Sequence, residues 1–183
     1  MNLADCFSDE FIDQLNTLNN GSKLNPQEKI NDSIDIEHIL SELNFNVKRD
    51  PNLSLSGRIN KDTIYIDSSE PETRQRFSMA HELGHAMQNN RHADRRDDAN
   101  DYNLTQRPDE VFANKFAAQL LMPSKLVRAL VDKIITEKKL NNKKLSDTDI
   151  DTITTTLAKK LNVSDQAMMY RIKNLNIFVP VEG

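Results

Sequence analysis

Residues 81–85 read His-Glu-Leu-Gly-His, and no other stretch of the chain carries as much chemistry in so few residues. In a helix, His81 and His85 stand four positions apart, so both imidazoles leave the same face. Two neutral imidazoles converging on one point supply half of a zinc site. Glu82 lies beside them, outside the ligand pair, where a carboxylate can take a proton from the attacking water of a hydrolysis. The pentapeptide is short, and a helix with two surface histidines and a glutamate would read the same way. Its surroundings have to decide.

A catalytic zinc takes three protein ligands and keeps one position open. In metzincins a glycine follows the second motif histidine by three positions and a third histidine by six. Here those positions hold Gln88 and Arg91. His92 is one step too far, and Asp94, Asp97, Asp98 and Asp101 lack the Gly-Thr-x-Asp setting of a ligand aspartate. Glu110 is the strongest candidate. It falls in the first turn of the next expected helix, where the helix dipole favours a carboxylate. Ala113, Ala117 and Ala118 follow at i+3, i+7 and i+8. Such a stripe of small side chains lets two helices approach closely, and Gly84 offers the matching gap. Asp109 is the nearest rival, and a surface glutamate above helix-forming alanines is the plainer alternative. With His81, His85 and Glu110 as zinc ligands and Glu82 as general base, the chemistry is metal-assisted hydrolysis. Tyr102, His92 and the arginines of residues 89–107 are candidates for stabilising an oxyanion.

Several elements must position these groups. Ser8 caps a helix over residues 9–18, with Phe7 and Ile12 as a hydrophobic staple and Asn20-Gly21 as its stop. A second helix is predicted from Pro26, capped by Asn25 with Glu28 reaching back. Short runs at Phe45-Asn46-Val47, Leu53-Ser54-Leu55-Ser56 and Thr63-Ile64-Tyr65-Ile66 have strand character, which implies a small antiparallel sheet of about three strands. The motif helix begins near Pro71, with Ser69 or Glu70 as cap. Residues 89–107 are almost all charged or amide and form a long loop, functional or simply solvated. Helices follow over residues 108–121, from Ser124, over 147–161 and over 165–175, and residues 177–181 could add a last strand.

The 183 residues suffice for one domain with a small appendage, and for a core that needs no disulfide framework. The single cysteine, Cys6, cannot form an internal bridge and suits a cytoplasmic protein. The N-terminus lacks the pattern of a signal peptide, and no segment is long and apolar enough to span a membrane. A formal net charge of −4 argues against bulk electrostatic binding of nucleic acid.

The run Arg76-Phe77-Ser78-Met79-Ala80-His81-Glu82-Leu83-Gly84-His85, with the later block from Glu110-Val111-Phe112-Ala113-Asn114 through Phe116-Ala117 to Leu120-Leu121-Met122-Pro123, resembles the ImmA/IrrE family of metallo-endopeptidases. Ile64-Tyr65-Ile66 and Val163-Ser164, Ala167, Arg171 and Leu175 also fit, so the resemblance spans roughly residues 30–175. It implies an α+β protein: a mostly helical minimal zincin core, the small antiparallel sheet, and a helical C-terminal extension. Residues 1–24 would be an N-terminal helix, 25–140 the metallopeptidase core, and 141–183 an extension resembling a helix-turn-helix and packed on the core. It implies Zn2+ on His81, His85 and Glu110, with Glu82 as base. It further implies limited proteolysis of an Xre-type helix-turn-helix repressor encoded nearby, relieving repression under stress in a bacterium, phage or mobile element.

Two other readings compete. One is a DNA-binding or partner-binding regulator, of the toxin–antitoxin kind, without proteolysis of its own. Leu157 to Ala167 has the look of a helix-turn-helix, and Arg171, Lys173 and Asn174 could meet phosphates or bases. Its second helix opens on acidic Asp165 and carries Met168 and Met169, which places charge poorly for DNA, so direct nucleic-acid binding is not expected. The other is a structural metal site, which would need no base and would commonly have four protein ligands.

Overall fold

Among the described residues, eight helices and four strands follow in the order α1 (Leu3–Cys6), α2 (Asp9–Asn16), α3 (Ile36–Glu42), β1 (Asn46–Asp50), β2 (Gly57–Asn60), β3 (Thr63–Asp67), α4 (Glu72–Met87), β4 (His92–Arg95), α5 (Pro108–Leu121), α6 (Ser124–Glu137), α7 (Asp147–Leu161) and α8 (Asp165–Asn174). The computed structural model describes residues 1–18, 23–88, 108–142 and 144–178, and the backbone of 92–95. The architecture is α+β. No described helix is long and apolar enough to cross a membrane.

The sheet is mixed rather than antiparallel, with strand order β1-β3-β2-β4. β2 and β3 form a hairpin around Lys61-Asp62, with Asn60 opposite Thr63 and Lys61 in the left-handed region. β1 lies on the other side of β3 and runs parallel to it, Val47 opposite Ile64. That placement explains the departure from the expected topology. Residues 51–56 form the connection that carries the chain past β3, so Leu53-Ser54-Leu55-Ser56 is not a strand, and the pairing strand is the next one along, β2. β4 pairs antiparallel with β2, inside the stretch expected to be irregular.

The helix predicted from Pro26 does not form. Residues 26–30 spend their backbone groups on the N-terminus instead: Ala4 N–H donates to the Pro26 carbonyl, Leu3 N–H to Glu28, and Ile30 N–H to Met1. Asn25 accepts from Gln27 N–H in a local turn, and the helix starts later, at Ile36, capped by Asp35. Ser8 caps α2 as expected, and Phe7 and Ile12 are both buried. The expected stop at Asn20-Gly21 lies outside the described residues. At α4, Pro71 occupies the N-cap position and neither Ser69 nor Glu70 caps the helix; Ser69 binds the Asp67 carboxylate instead.

With four glycines in the whole chain, helices end on other residues. Asn44, Lys139, Asn162 and Asn176 each adopt positive φ after α3, α6, α7 and α8. In each case the next residue's N–H closes back on the helix, as Phe45 does to the Leu40 carbonyl.

The core places α4 centrally. Ile59, Ile64 and Ile66 of the sheet are buried on one side of it, and Ala113, Phe116, Ala117 and Leu120 of α5 lie on the other. Arg76 in α4 donates to the carbonyls of Ile34 and Asn162, and Arg171 in α8 donates to the Met122 carbonyl at 2.9 Å. These bonds hold the C-terminal helices against the rest. Residues 177 and 178 are not in a strand, and 179–181 lie outside the described residues.

Candidate metal centre

The local sequence of α4 makes a helix buried on all sides. Nine consecutive residues, Ser78 to Ala86, are buried, including His81, Glu82 and His85. A helix that buries three ionisable side chains in its middle is not built for packing alone.

The alanine stripe of α5 meets the glycine of α4 as the sequence implied. A Cβ added at Gly84 would stand 2.9 Å from the Ala113 Cα and 3.3 Å from its Cβ. Only glycine allows this approach, and the approach brings the first turn of α5 over the two histidines. Glu110 Oε2 then lies 3.3 Å from His81 Nε2, and Glu110 Oε1 lies 3.4 Å from His85 Nε2. The two Nε2 atoms are 3.1 Å apart. The ligand-type atoms of His81, His85 and Glu110 all fall within 4.8 Å of one another. Hydrogen bonding from His81 and then His85 holds the Glu110 carboxyl well below the usual carboxylate range, against the desolvation that opposes it.

This donor set fits a divalent metal: two imidazole nitrogens and one carboxylate, turned toward a common point. Glu110, and not the neighbouring Asp109, completes the cluster. Its side chain is 32% exposed while both histidines are sealed, so among the three ligand groups the carboxylate is the one that meets solvent. Glu82 is fully buried on the sheet side of α4, where a Cβ on Gly57 would come within 3.1 Å of its Oε1. Gly57 therefore makes the room for that carboxylate, and nothing in the sequence pointed to it.

His81 has a further partner. Its Nδ1 lies 3.0 Å from Asn114 Oδ1, one turn along α5 from Glu110. Asn114 stands in the block that carried the family resemblance, but its role was not anticipated; its i+4 spacing from Glu110 was the available signal. The buried Nδ1 of His85, in contrast, finds no hydrogen-bond partner among the described residues. Other candidates cannot be placed at the centre. His92 and Asp94 belong to β4, of which only the backbone is described, and Asp97, Asp98, Asp101 and Tyr102 lie outside the described residues. Arg171, a candidate for phosphate contact, is turned inward to Met122.

A family model described as the IrrE N-terminal-like domain, of the M78 peptidases, matches residues 40–173. The match takes in α4, α5 and the C-terminal helices. No curated protein gives a significant match.

Proposed function

We propose that this chain, which belongs to the M78 peptidase family, is a zinc-dependent endopeptidase that makes limited cuts in a helix-turn-helix repressor encoded near it. The observation that carries the reading is the convergence of His81, His85 and Glu110 beside a buried Glu82. Two histidines and one carboxylate are the donor set of catalytic rather than structural zinc, which commonly has four protein ligands. A bound zinc ion would polarise the scissile carbonyl and acidify the attacking water.

The chain's own groups do the rest. Glu82 accepts the proton of the attacking water as oxygen bonds to the carbonyl carbon, then delivers it to the amine as the C–N bond breaks. Gly57 keeps space for that carboxylate, and the burial of Glu82 on the face of the sheet limits where it can swing. Cleavage within a repressor would release the promoter it holds, and the inward turn of Arg171 takes one of the cations named for direct DNA binding, the second reading, away from the surface.

The test is to incubate the purified protein and its Glu82→Gln variant with the repressor encoded beside it, and to map products by mass spectrometry. The parent should cut at discrete bonds, and the variant should hold metal without cutting. Equal cutting by both sinks the role of Glu82. An intact repressor with both proteins, together with retarded DNA, favours the regulator that binds without cleaving.

A further inference from the structure

Among the described residues, the buried polar side chains are those of Ser78, His81, Glu82 and His85, all in α4, and that of Ser56, which lies outside it. Ser56 immediately precedes Gly57, the residue that lies against the Glu82 carboxylate. Its hydroxyl donates to Glu70 Oε1 at 2.7 Å, and its carbonyl accepts from the Asp67 N–H at 3.3 Å. We propose that Ser56 and Glu70 are positioning residues for the general base: their bond pins the start of β2, and through Gly57 it holds Glu82 in place. With Glu82 as the base, as read above, this bond keeps the carboxylate from drifting.

The chain needs a pin at this point. Residues 51–55 make no strand pairing and are exposed or half-buried, and β2 begins at Gly57. A strand end frays most readily where it meets a loose connection. The Glu70 end of the bond is itself anchored. Gln75 Nε2, in α4, donates to the Glu70 carbonyl at 2.8 Å and to the Ser68 carbonyl at 3.4 Å. Gln75 stands two helical turns before Glu82 on the same face of α4. The clamp therefore ties the start of β2 to the helix that carries the base. Glu70 Oε2 is buried without a hydrogen-bond partner among the described residues, and Arg74 Nε stays 3.8 Å from Oε1. The Ser56 hydroxyl thus supplies the hydrogen bond that orients this carboxylate. Leaving a buried carboxylate oxygen unbonded is costly, which marks a placement kept for something other than stability. Gly57 has no side chain to absorb a shift, so a movement of its backbone passes directly to Glu82 Oε1 and Cγ.

The test compares Ser56→Ala, Glu70→Ala and Glu70→Gln with the parent, and takes Ser146→Ala, in the α7 cap, as a control for mild destabilisation. Glu70 is partly exposed, so its truncation breaks the bond without opening the core. The metal-free proteins are treated with a water-soluble carbodiimide and glycine ethyl ester, and labelling of Glu82 is read by peptide mass spectrometry. Glu82 is fully buried and should label slowly in the parent. In Ser56→Ala and Glu70→Ala it should label several-fold faster. Glu70→Gln keeps an acceptor oxygen for the Ser56 hydroxyl and should match the parent, as should Ser146→Ala. Loaded with zinc, the two bond-breaking variants should cut the neighbouring repressor with a turnover rate about tenfold lower, since small misplacements of reacting groups are costly. Their KM and zinc content should not change.

Parent-like labelling of Glu82 in both Ser56→Ala and Glu70→Ala overturns the inference, as does equally fast labelling in Ser146→Ala or Glu70→Gln. So does parent-like turnover in a variant whose Glu82 labels faster. Zinc lost from either bond-breaking variant moves the clamp from the base to the ligand frame and overturns it too. A zinc-loaded parent that cuts no repressor overturns the proposed protease, while the labelling still decides whether the clamp holds Glu82.

Discussion

The α4–α5 pair and the α7–α8 pair are two helix packings made from opposite materials. α4 and α5 meet where Gly84 faces Ala113 and Phe116, and α4 buries two histidines and a glutamate in its middle. α7 and α8 pack on each other and bury Ile153, Leu157, Ala158, Leu161, Met168 and Ile172, with no buried charge, and polar side chains cap the start of each helix. Ser146 and Asp149 form a reciprocal capping box at the start of α7, and Ser164 caps α8. The second pair follows the ordinary rules of an amphipathic helix. The first breaks them in its middle, where small residues give up apolar contact so that backbones come close enough for a carboxylate on one helix to reach imidazoles on the other. The departure from regular packing marks where the chemistry is.

The widest test of that contrast pairs one variant in each region. His85→Ala should abolish metal binding and cleavage, a loss beyond the about 10–100-fold expected for an outer partner, while leaving a folded chain. Leu157→Ala, at a fully buried site, should cost about 2–5 kcal/mol of stability and leave one metal per folded chain. Metal analysis beside thermal unfolding reads both. Retained metal in His85→Ala, or metal lost from folded Leu157→Ala, would erase the distinction.

Gly84→Ala probes the point where packing and chemistry coincide. The new Cβ meets the Ala113 backbone at 2.9 Å, which a side-chain rotation cannot relieve. Overpacking should cost about 1–3 kcal/mol. Because Ala113 sits between Glu110 and Asn114, the displaced turn should also weaken zinc affinity, unlike any single aliphatic truncation in α7. Gly57→Ala is smaller in effect and more selective. Its Cβ presses on the end of a flexible side chain, Glu82 Oε1 at 3.1 Å. The turnover rate should fall about tenfold, since small misplacements of reacting groups are costly, with zinc affinity unchanged. A variant of Gly57 that loses metal would place the glycine in the ligand frame instead.

The same contrast explains how much of the molecule was legible in its sequence. α5, α6, α7 and α8 begin where the sequence placed them, at Pro108, Ser124, Asp147 and Asp165, because start signals act locally, as the capping of α7 by Ser146 and of α8 by Ser164 shows. The approach of α5 to α4 was legible too, since a stripe of alanines and a glycine has few other uses. Pro26 misled because the preference of a proline for a helix start is weaker than the backbone pairing that Met1, Leu3 and Ala4 impose on residues 26–30. The parallel pairing of β1 with β3 was hidden because strand character says nothing about which neighbour a strand chooses. Gly57 and Asn114 were missed for a related reason. Each acts through a residue distant in sequence, Glu82 for one and His81 for the other, and only the fold makes them neighbours.

The smallest effect belongs at the cap of α7. The Asp149 carboxylate accepts from the Ser146 backbone N–H and hydroxyl, and these bonds, the backbone one first, hold its pKa below the ordinary aspartate value. A carboxyl whose folded pKa is depressed contributes stability above its unfolded value, about 3.9, and loses it as the pH falls through the folded one. Asp149→Ala should therefore melt lower than the parent at neutral pH, and the gap should close as the pH drops below about 4. Ser146→Ala should cost about 1 kcal/mol at neutral pH, because it leaves the Asp149 N–H without its acceptor at 3.2 Å. Neither change should alter zinc affinity or cleavage. If one did, the C-terminal helices would be coupled to the metal centre through the bonds of Arg76 and Arg171, and the two regions would function as one.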